Sequence, residues 1–371
     1  MKTWLKYFSL LLLGSAALAV YYVKYTGGMN AKAQEMREWT PEFRTVRPFV
    51  VPEKVNIDAC IKVKKLLHGN SLKRLQTKQL LTKVFDLSGC PWIGSSIQRR
   101  SYRRRLAQCC NASHQLIVTQ ENSPVGHTMS YETDAKRKVK VTDEMFQLFV
   151  ETSPFKNKRY ETCSVVGNGG ILLGSFCGDN IDQADFVFRI NLPPLNYTDD
   201  VGTKVDLVTA KPSIIVNRFE NLNSRRKSFG DFMQAYKNAY ILMPAFSSPS
   251  NMPIAFKVHY TLEDFGLNQT MLYYHPDYMK KLAIYWKAAG VEAVRLSSGF
   301  MIVSAALELC NKVTLYGFWP FDEDLHRNPI LHHYYDDVRP KPAMHNMPDE
   351  FFFYLQMHNQ GALQIQMDNC F

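Results

Sequence analysis

Several stretches of the chain hold side chains suited to chemistry. Five of the ten histidines lie late in the sequence: His326, His332, His333, His345 and His358. A neutral imidazole is the natural general base near neutral pH. A metal site would need histidines at i and i+4 on one helix face, or a similar cage. The adjacent pair His332/His333 points two ways and His345 follows twelve residues later, so proton chemistry is the better reading. Asp322-Glu323-Asp324 has the D-x-D form that can hold a divalent cation on a nucleotide diphosphate, but acidic triplets arise often by chance.

A second group of candidates sits at apparent element junctions. In Val165-Val166-Gly167-Asn168-Gly169-Gly170-Ile171-Leu172 a strand runs into a glycine-rich turn. Such glycines let backbone approach a phosphate or sugar ring closely, and a plain tight turn explains them equally well. The third glycine of the dinucleotide fingerprint is missing, because Leu172 stands there. Asn191 ends the next strand, in Phe188-Arg189-Ile190-Asn191-Leu192-Pro193-Pro194. With Asn168 it offers two amides able to hold a cytosine, a ribose or a carboxylate. Arg295-Leu296-Ser297-Ser298-Gly299 precedes an apolar helix. Hydroxyls and free N–H groups at a helix start can bind an anion, and Ser298 can also serve as an ordinary N-cap.

These residues need elements to hold them. Short apolar runs read as strands at Cys163–Val166, Phe186–Arg189, Val205–Thr209, Tyr240–Met243, Met271–Tyr274 and Val313–Tyr316. Helices are expected at Pro276–Ala289, stopped by Gly290, and at Phe300–Leu309. The alternation predicts an α/β domain with a largely parallel sheet. In such a sheet ligands bind outside the carboxyl ends of the strands, where Asn168 and Asn191 fall. Residues 61–108 carry leucines among lysines at helical spacing. Residues 24–60 are polar, with Pro41, Pro48 and Pro52, and read as a stem. Arg99, Arg100, Arg103, Arg104 and Arg105 form a basic run, read as a solvated helix face or as a contact for anionic lipid or acidic glycan.

The chain has 371 residues, 46% hydrophobic and 21% charged, which excludes disorder and a polytopic membrane protein. The net charge of +10 invites a nucleic-acid reading. Its distribution removes that reading. Residues 1–110 carry 20 Lys+Arg against 6 Asp+Glu, and residues 111–371 carry 24 against 28. Tyr7 to Val23 are 17 uncharged residues after Lys2 and Lys6. A helix there would reach roughly 26 Å, enough for a thin bilayer. The positive flank keeps the tip cytosolic. Ala17-Leu18-Ala19 offers a signal-peptidase-like site, but the apolar run is long for a signal peptide, so an uncleaved anchor is expected. Either way the bulk of the chain is lumenal. Sequons at Asn111, Asn196 and Asn268 agree with that address. So do eight cysteines with no C-x-x-C pair, which read as structural bridges.

Taken together, these stretches resemble a known family. Cys163 through the glycine turn to Pro194 resembles the large sialylmotif. Arg295 through Cys310 to Tyr316-Gly317-Phe318-Trp319-Pro320 resembles the small one. His332-His333-Tyr334-Tyr335-Asp336 is similar to the third motif, and His345 with Glu350 to the very small motif. Order and spacing match the animal sialyltransferases over roughly Cys109 to Cys370. Cys109-Cys110-Asn111, Asn191-Leu192-Pro193-Pro194 and Lys211-Pro212-Ser213-Ile214-Ile215 look most like the α-2,8 branch that makes disialyl or short oligosialyl caps on gangliosides and glycoproteins.

The resemblance implies a variant GT-A, Rossmann-like fold in a type II Golgi membrane protein. Its parts would be a cytosolic tail at 1–6, an anchor at 7–23, a stem at 24–108 and a catalytic domain at 109–371. The reaction implied is inverting transfer of sialic acid from CMP-sialic acid to a sialylated glycolipid or glycoprotein, with no metal and no cofactor. Asp322-Glu323-Asp324 would then be surface charge. By the same resemblance Asn168, Asn191, Ser297, Ser298, Gly299 and Trp319 line the donor site, and His333 meets the CMP phosphate. His345 is the general base, and Glu350 positions it or its loop. Cys163–Cys310 and Cys177–Cys370 are implied as disulfides. A homodimer stays open.

The chemistry agrees. The donor leaves as a phosphate monoester while positive charge builds on the sugar and an alcohol loses its proton. Two histidines on opposite sides of the sugar can serve both ends. Three departures stand out: Ile190 for a usual Cys, Ser298 for Thr, and Ala343-Met344 for Gly-Phe. The stretch before the small motif is only mildly basic, which disfavours a long polysialic product. The competing readings are another linkage, a polysialyltransferase, a non-catalytic lumenal glycan-binding protein and a nicotinamide oxidoreductase.

Overall fold

The computed structural model describes residues 57–68, 77–338 and 346–370. The expected membrane span, the stem up to residue 56 and His345 lie outside them. Among the described residues, no helix is long and apolar enough to cross a membrane. Three helices come first: α1 (Ile57–His68), α2 (Thr77–Ser88) and α3 (Ser96–Cys109). A hairpin of β1 (Thr128–Ser130) and β2 (Lys138–Lys140) follows. Then come β3 (Tyr160–Val166), β4 (Phe186–Arg189), β5 (Leu207–Thr209), α4 (Pro212–Phe219), α5 (Arg226–Met233) and β6 (Tyr240–Met243). The chain continues through α6 (Asn251–Asp264), β7 (Thr270–Tyr273), α7 (Pro276–Ala288), α8 (Ser298–Leu309), β8 (Cys310–Tyr316), α9 (Met347–Asn359) and β9 (Gln364–Ile365).

The main sheet has seven strands in the order β7-β6-β5-β4-β3-β8-β9, every neighbouring pair parallel. β4 and β5 are buried along their whole length, as continuous apolar strands covered on both faces should be. From β3 the chain steps outward to β7, then crosses back to β8 on the other side of β3. The strand order therefore reverses at β3, which opens a crevice beyond its carboxyl end. β5 begins two residues later than the apolar run suggests. Just before it, the Asp206 N–H donates to the Val187 carbonyl (3.0 Å) while the Asp206 carboxylate takes the Val187 N–H (2.8 Å).

α8 fills the space between the sheet and the leading helices, and all its residues are buried. Ser297 caps it, accepting from the Phe300 N–H at 3.0 Å, so the cap lies one residue ahead of the expected Ser298. α7 starts on Pro276, with His275 accepting from the Asp277 N–H, and Gly290 follows it at φ +101°. Burial holds His275 down at about 4, which keeps the imidazole neutral and able to accept.

The continuous helical stretch expected over 61–108 is three helices. They lie within the segment assigned to the stem, yet they share the core of the domain. Val63, Leu67, Leu80, Leu81, Val84, Leu87, Tyr102 and Leu106 are buried in the same cluster as α8 and β3. Gln356 and Asn359 of α9 donate to the Leu67 and Lys64 carbonyls. The basic run splits accordingly. Arg100, Arg104 and Arg105 are exposed on α3, whereas Arg103 turns inward and donates to the Cys310 carbonyl and to Asn311 Oδ1 (3.1 Å). The run as a whole is therefore not a solvated face.

The two implied disulfides are present: Cys163–Cys310 joins β3 to the start of β8, and Cys177–Cys370 holds the C-terminus. Cys60–Cys90 ties α1 to the end of α2.

Two predictions follow from this packing. Arg103→Ala should destabilise the protein by about 2 kcal/mol, because it removes charge-assisted bonds to buried acceptors. Arg104→Ala should leave the denaturant midpoint unchanged. The second concerns Glu308 in α8, which accepts from the Ala112 N–H (2.9 Å) on one oxygen and has no partner among the described residues on the other. Burial raises it to about 7. The folded state thus keeps its proton where the unfolded chain has lost it. That stabilisation is full below the unfolded value of 4.5 and is lost as pH rises through about 7. Glu308→Gln should melt like the parent at pH 5 and be the more stable protein at pH 8, by about 2 kcal/mol. A melting difference that does not change with pH would refute the assignment.

Candidate active site

The turn after β3 and the turn after β8 lie back to back. Gly167 N–H donates to the Tyr316 carbonyl (2.7 Å) and Gly169 N–H to the Gly317 carbonyl (2.9 Å). A Cβ on Gly167 or Gly169 would stand 2.6 or 2.7 Å from the Gly317 oxygen, and one on Gly170 2.0 Å from the Leu331 oxygen. The glycines are therefore spent on backbone meeting backbone, which favours the tight-turn reading over the ligand cradle. What they place is the residue between them. Asn168 donates from Nδ2 to the Ile190 carbonyl (2.8 Å), and its own carbonyl accepts from Tyr334 N–H (2.9 Å). Its Oδ1 is buried with no partner among the described residues. An orphaned amide oxygen at a crevice costs stability unless a ligand donor meets it.

Asn191 follows β4 at φ +63°, a conformation Asn tolerates better than most residues. Its N–H donates to Thr209 Oγ1 (2.9 Å), whose hydroxyl points back to Asn191 Oδ1 (3.3 Å). The loop behind it is pinned at every step. Arg218 donates to the Leu192 carbonyl, Tyr236 to Pro193 and Tyr334 to Pro194.

The histidine pair lies on the other wall. His333 bridges to Gly169, and its Nδ1 meets Asp336 Oδ1 at 2.7 Å. That bond leaves Nε2 as the ring atom for a ligand. Tyr335 stacks on the His333 ring, 5.2 Å between centroids. Asp336 is the partner that spacing alone did not single out, although a His-x-x-Asp interval is its signature.

Ser297, Ser298 and Gly299 form the floor at the start of α8. A Cβ on Gly299 would meet the Phe318 ring at 2.9 Å. Trp319 stands beside Gly169 and is itself buried. Its indole N–H donates to the Glu323 carbonyl (2.8 Å) and its ring meets Phe321 and Phe351 edge-on, so only its ring remains to face a ligand. Glu350, in the first turn of α9, accepts from Ser297 N–H (2.7 Å) and Ser297 Oγ (2.5 Å). Burial, opposed by those two bonds, raises it to about 7. Glu350 thus holds the start of α8. His345, the expected base, lies outside the described residues.

Asp324 does not fit its expected place in a patch of surface charge. It is buried, and its carboxylate accepts from the His326 and Asn328 N–H groups and the Asn328 side chain. It organises its own loop. The three sequon asparagines, Asn111, Asn196 and Asn268, are all exposed.

Residues 117–362 match the family model described as glycosyltransferase family 29 (sialyltransferase). The chain belongs to that family. This sialyltransferase is 43% identical over 316 residues to human "Alpha-2,8-sialyltransferase 8F", covering 83% of this chain and 79% of that protein. It is 40% identical over 322 residues to rat "Alpha-2,8-sialyltransferase 8E", 86% of each. It is 42% identical over 313 residues to bovine "Alpha-N-acetylneuraminide alpha-2,8-sialyltransferase", 84% of this chain and 88% of that one. A solved mammalian sialyltransferase aligns at 18% identity and a TM-score of 0.42, over 83% of this chain and 86% of that one. As a family 29 member the protein is a glycosyltransferase with a mainly parallel α/β sheet.

Glu350→Ala should leave the Ser297 N–H buried without a partner, at a cost of about 2 kcal/mol. Kinetically it should raise the KM for the sugar-nucleotide donor more than it lowers kcat, because it loosens the α8 start without touching the reacting atoms. A selective fall in kcat would place Glu350 at the chemistry instead.

Proposed function

We propose that this sialyltransferase moves sialic acid from CMP-sialic acid onto the 8-hydroxyl of a terminal sialic acid, on a glycolipid or glycoprotein. The observation that carries the donor reading is the Asn168 amide oxygen, buried and unpaired at the crevice between β3 and β8. The cytosine amino group or a ribose hydroxyl of CMP would supply its missing donor. The α-2,8 linkage is supported by the relatives named for it, which match over four-fifths of the chain.

In this reading the acceptor oxygen attacks the anomeric carbon as the bond to the phosphate oxygen breaks and CMP departs with the electron pair. His345 takes the proton of the acceptor hydroxyl. His333, held by Asp336 at Nδ1, presents Nε2 to the departing phosphate. Asn191 and the start of α8 hold the nucleotide and its phosphate. No step requires a metal or a cofactor. The chain would be anchored by residues 7–23 in the Golgi membrane with its catalytic part lumenal, glycosylated at Asn111, Asn196 and Asn268.

The test is an acceptor screen with the full-length enzyme in detergent. CMP should be released only with sialylated acceptors, and an α-2,8-specific sialidase should remove the product. His345→Ala should lose more than about a hundredfold in kcat with its melting temperature retained. An active His345→Ala enzyme would remove the base from the mechanism.

A further inference from the structure

One cation at the rim of the crevice has no place in that scheme. Lys211 follows β5 by two residues, at the carboxyl edge of the sheet and one strand out from β4 and Asn191. It is extended (φ −75°, ψ 138°) and immediately precedes Pro212, the first residue of α4. Its side chain is half-buried, and among the described residues its ammonium makes no hydrogen bond or ion pair. Arg295 and Glu350 are the charged groups that act on it. Both are engaged elsewhere. Arg295 forks onto Glu132 (3.1 and 2.6 Å), and Glu350 is bonded twice to Ser297. Burial, reinforced by the like charge of Arg295, pulls the Lys211 ammonium below the ordinary lysine value.

Folding alone gives no reason to retain such an arrangement. A half-buried ammonium that feels a second cation costs stability, and an apolar residue of the same length would avoid that cost. The arrangement does suit an anion arriving beside Ser297 and Asn191. The proposed reaction brings two. Each sialic acid carries a carboxylate on its anomeric carbon, one on the donor and one on the acceptor.

We propose that Lys211 is a substrate-binding residue that takes the carboxylate of a sialic acid in the crevice. The proposal rests on the sialyl-transfer reading above and adds a named recognition group to it. A lysine is suited to the task, because a single ammonium on a flexible stem can follow a carboxylate whose ring changes shape during transfer.

The test uses full-length enzyme and the variants Lys211→Met, Lys211→Gln and Lys211→Arg. In the first arm the affinity for CMP, which has no carboxylate, is measured by thermal shift beside the KM for CMP-sialic acid. In the second, the KM for a sialylated acceptor is compared with that for the same acceptor with its terminal carboxylate converted to an amide. If the donor carboxylate is the ligand, Lys211→Met should raise the donor KM at least tenfold and leave CMP affinity unchanged. If it is the acceptor's, the acceptor KM should rise by that factor and the amide should lose its disadvantage. Lys211→Arg should recover part of either loss. Without ligand, Lys211→Met should melt no lower than the parent. Should it fail to fold, Lys211→Gln and Lys211→Arg carry both arms. Two results would overturn the proposal: both KM values unchanged, or CMP affinity falling as far as donor affinity, which would mark a phosphate contact or a general distortion. A parent enzyme that uses only asialo acceptors would defeat the α-2,8 reading and leave the donor arm standing.

Discussion

The whole crevice depends on two chain turns touching without side chains between them. The Gly167 and Gly169 amides reach across to the β8 turn, and neither position has room for a methyl group. This contact puts Asn168 beside Ile190 and under Tyr334. It puts Trp319 beside Gly169 and gives the His333 segment its docking edge. A larger residue at Gly169 would not fill a ligand pocket. It would wedge apart the strands from which the donor-side residues extend.

Around that contact the polar groups are arranged in series. Asp336 orients His333, Thr209 orients Asn191, and Glu350 secures Ser297. Each candidate ligand contact is thus backed by a partner, from the same loop for His333 and from another element for Asn191 and Ser297, which is how a site is held to the tolerance that group transfer needs. The hydrophobic effect supplies the frame. α8 is buried on all sides between the sheet and the helices that lead into it, so its N-terminus can only point where the core directs it.

Much of this is legible in the sequence alone. The parallel strands were visible as short apolar runs, because a strand covered on both faces needs no alternation. Asn168, Asn191 and Ser297 were picked out by their positions at strand ends and a helix start, and the fold brings all three to one edge. The glycines were visible but their purpose was not, since sequence cannot say whether a bare Cα makes room for a ligand or for another backbone. Arg103 was hidden among four other arginines, and only the burial of Tyr102 and Leu106 shows which way the helix faces. Asp324 read as charge because its donors belong to the backbone of its own loop. Glu308 was invisible in an apolar helix. Lys211 opens the Lys211-Pro212-Ser213-Ile214-Ile215 stretch, but its lack of a partner among the described residues is a property of three dimensions.

The Cys163–Cys310 bond joins residues 147 apart in the chain, and the intervening segment holds β4 to β7. That half of the sheet is therefore a covalent ring, closed toward the amino ends of β3 and β8, at the opposite end of these strands from the crevice. A protease that cuts any exposed loop within the ring opens it without freeing either piece, so the two motif strands stay side by side. The outer half of the sheet, which carries Lys211 and the Asn191 loop, is thus tethered to β3 and β8 by a bond that lies outside the site itself.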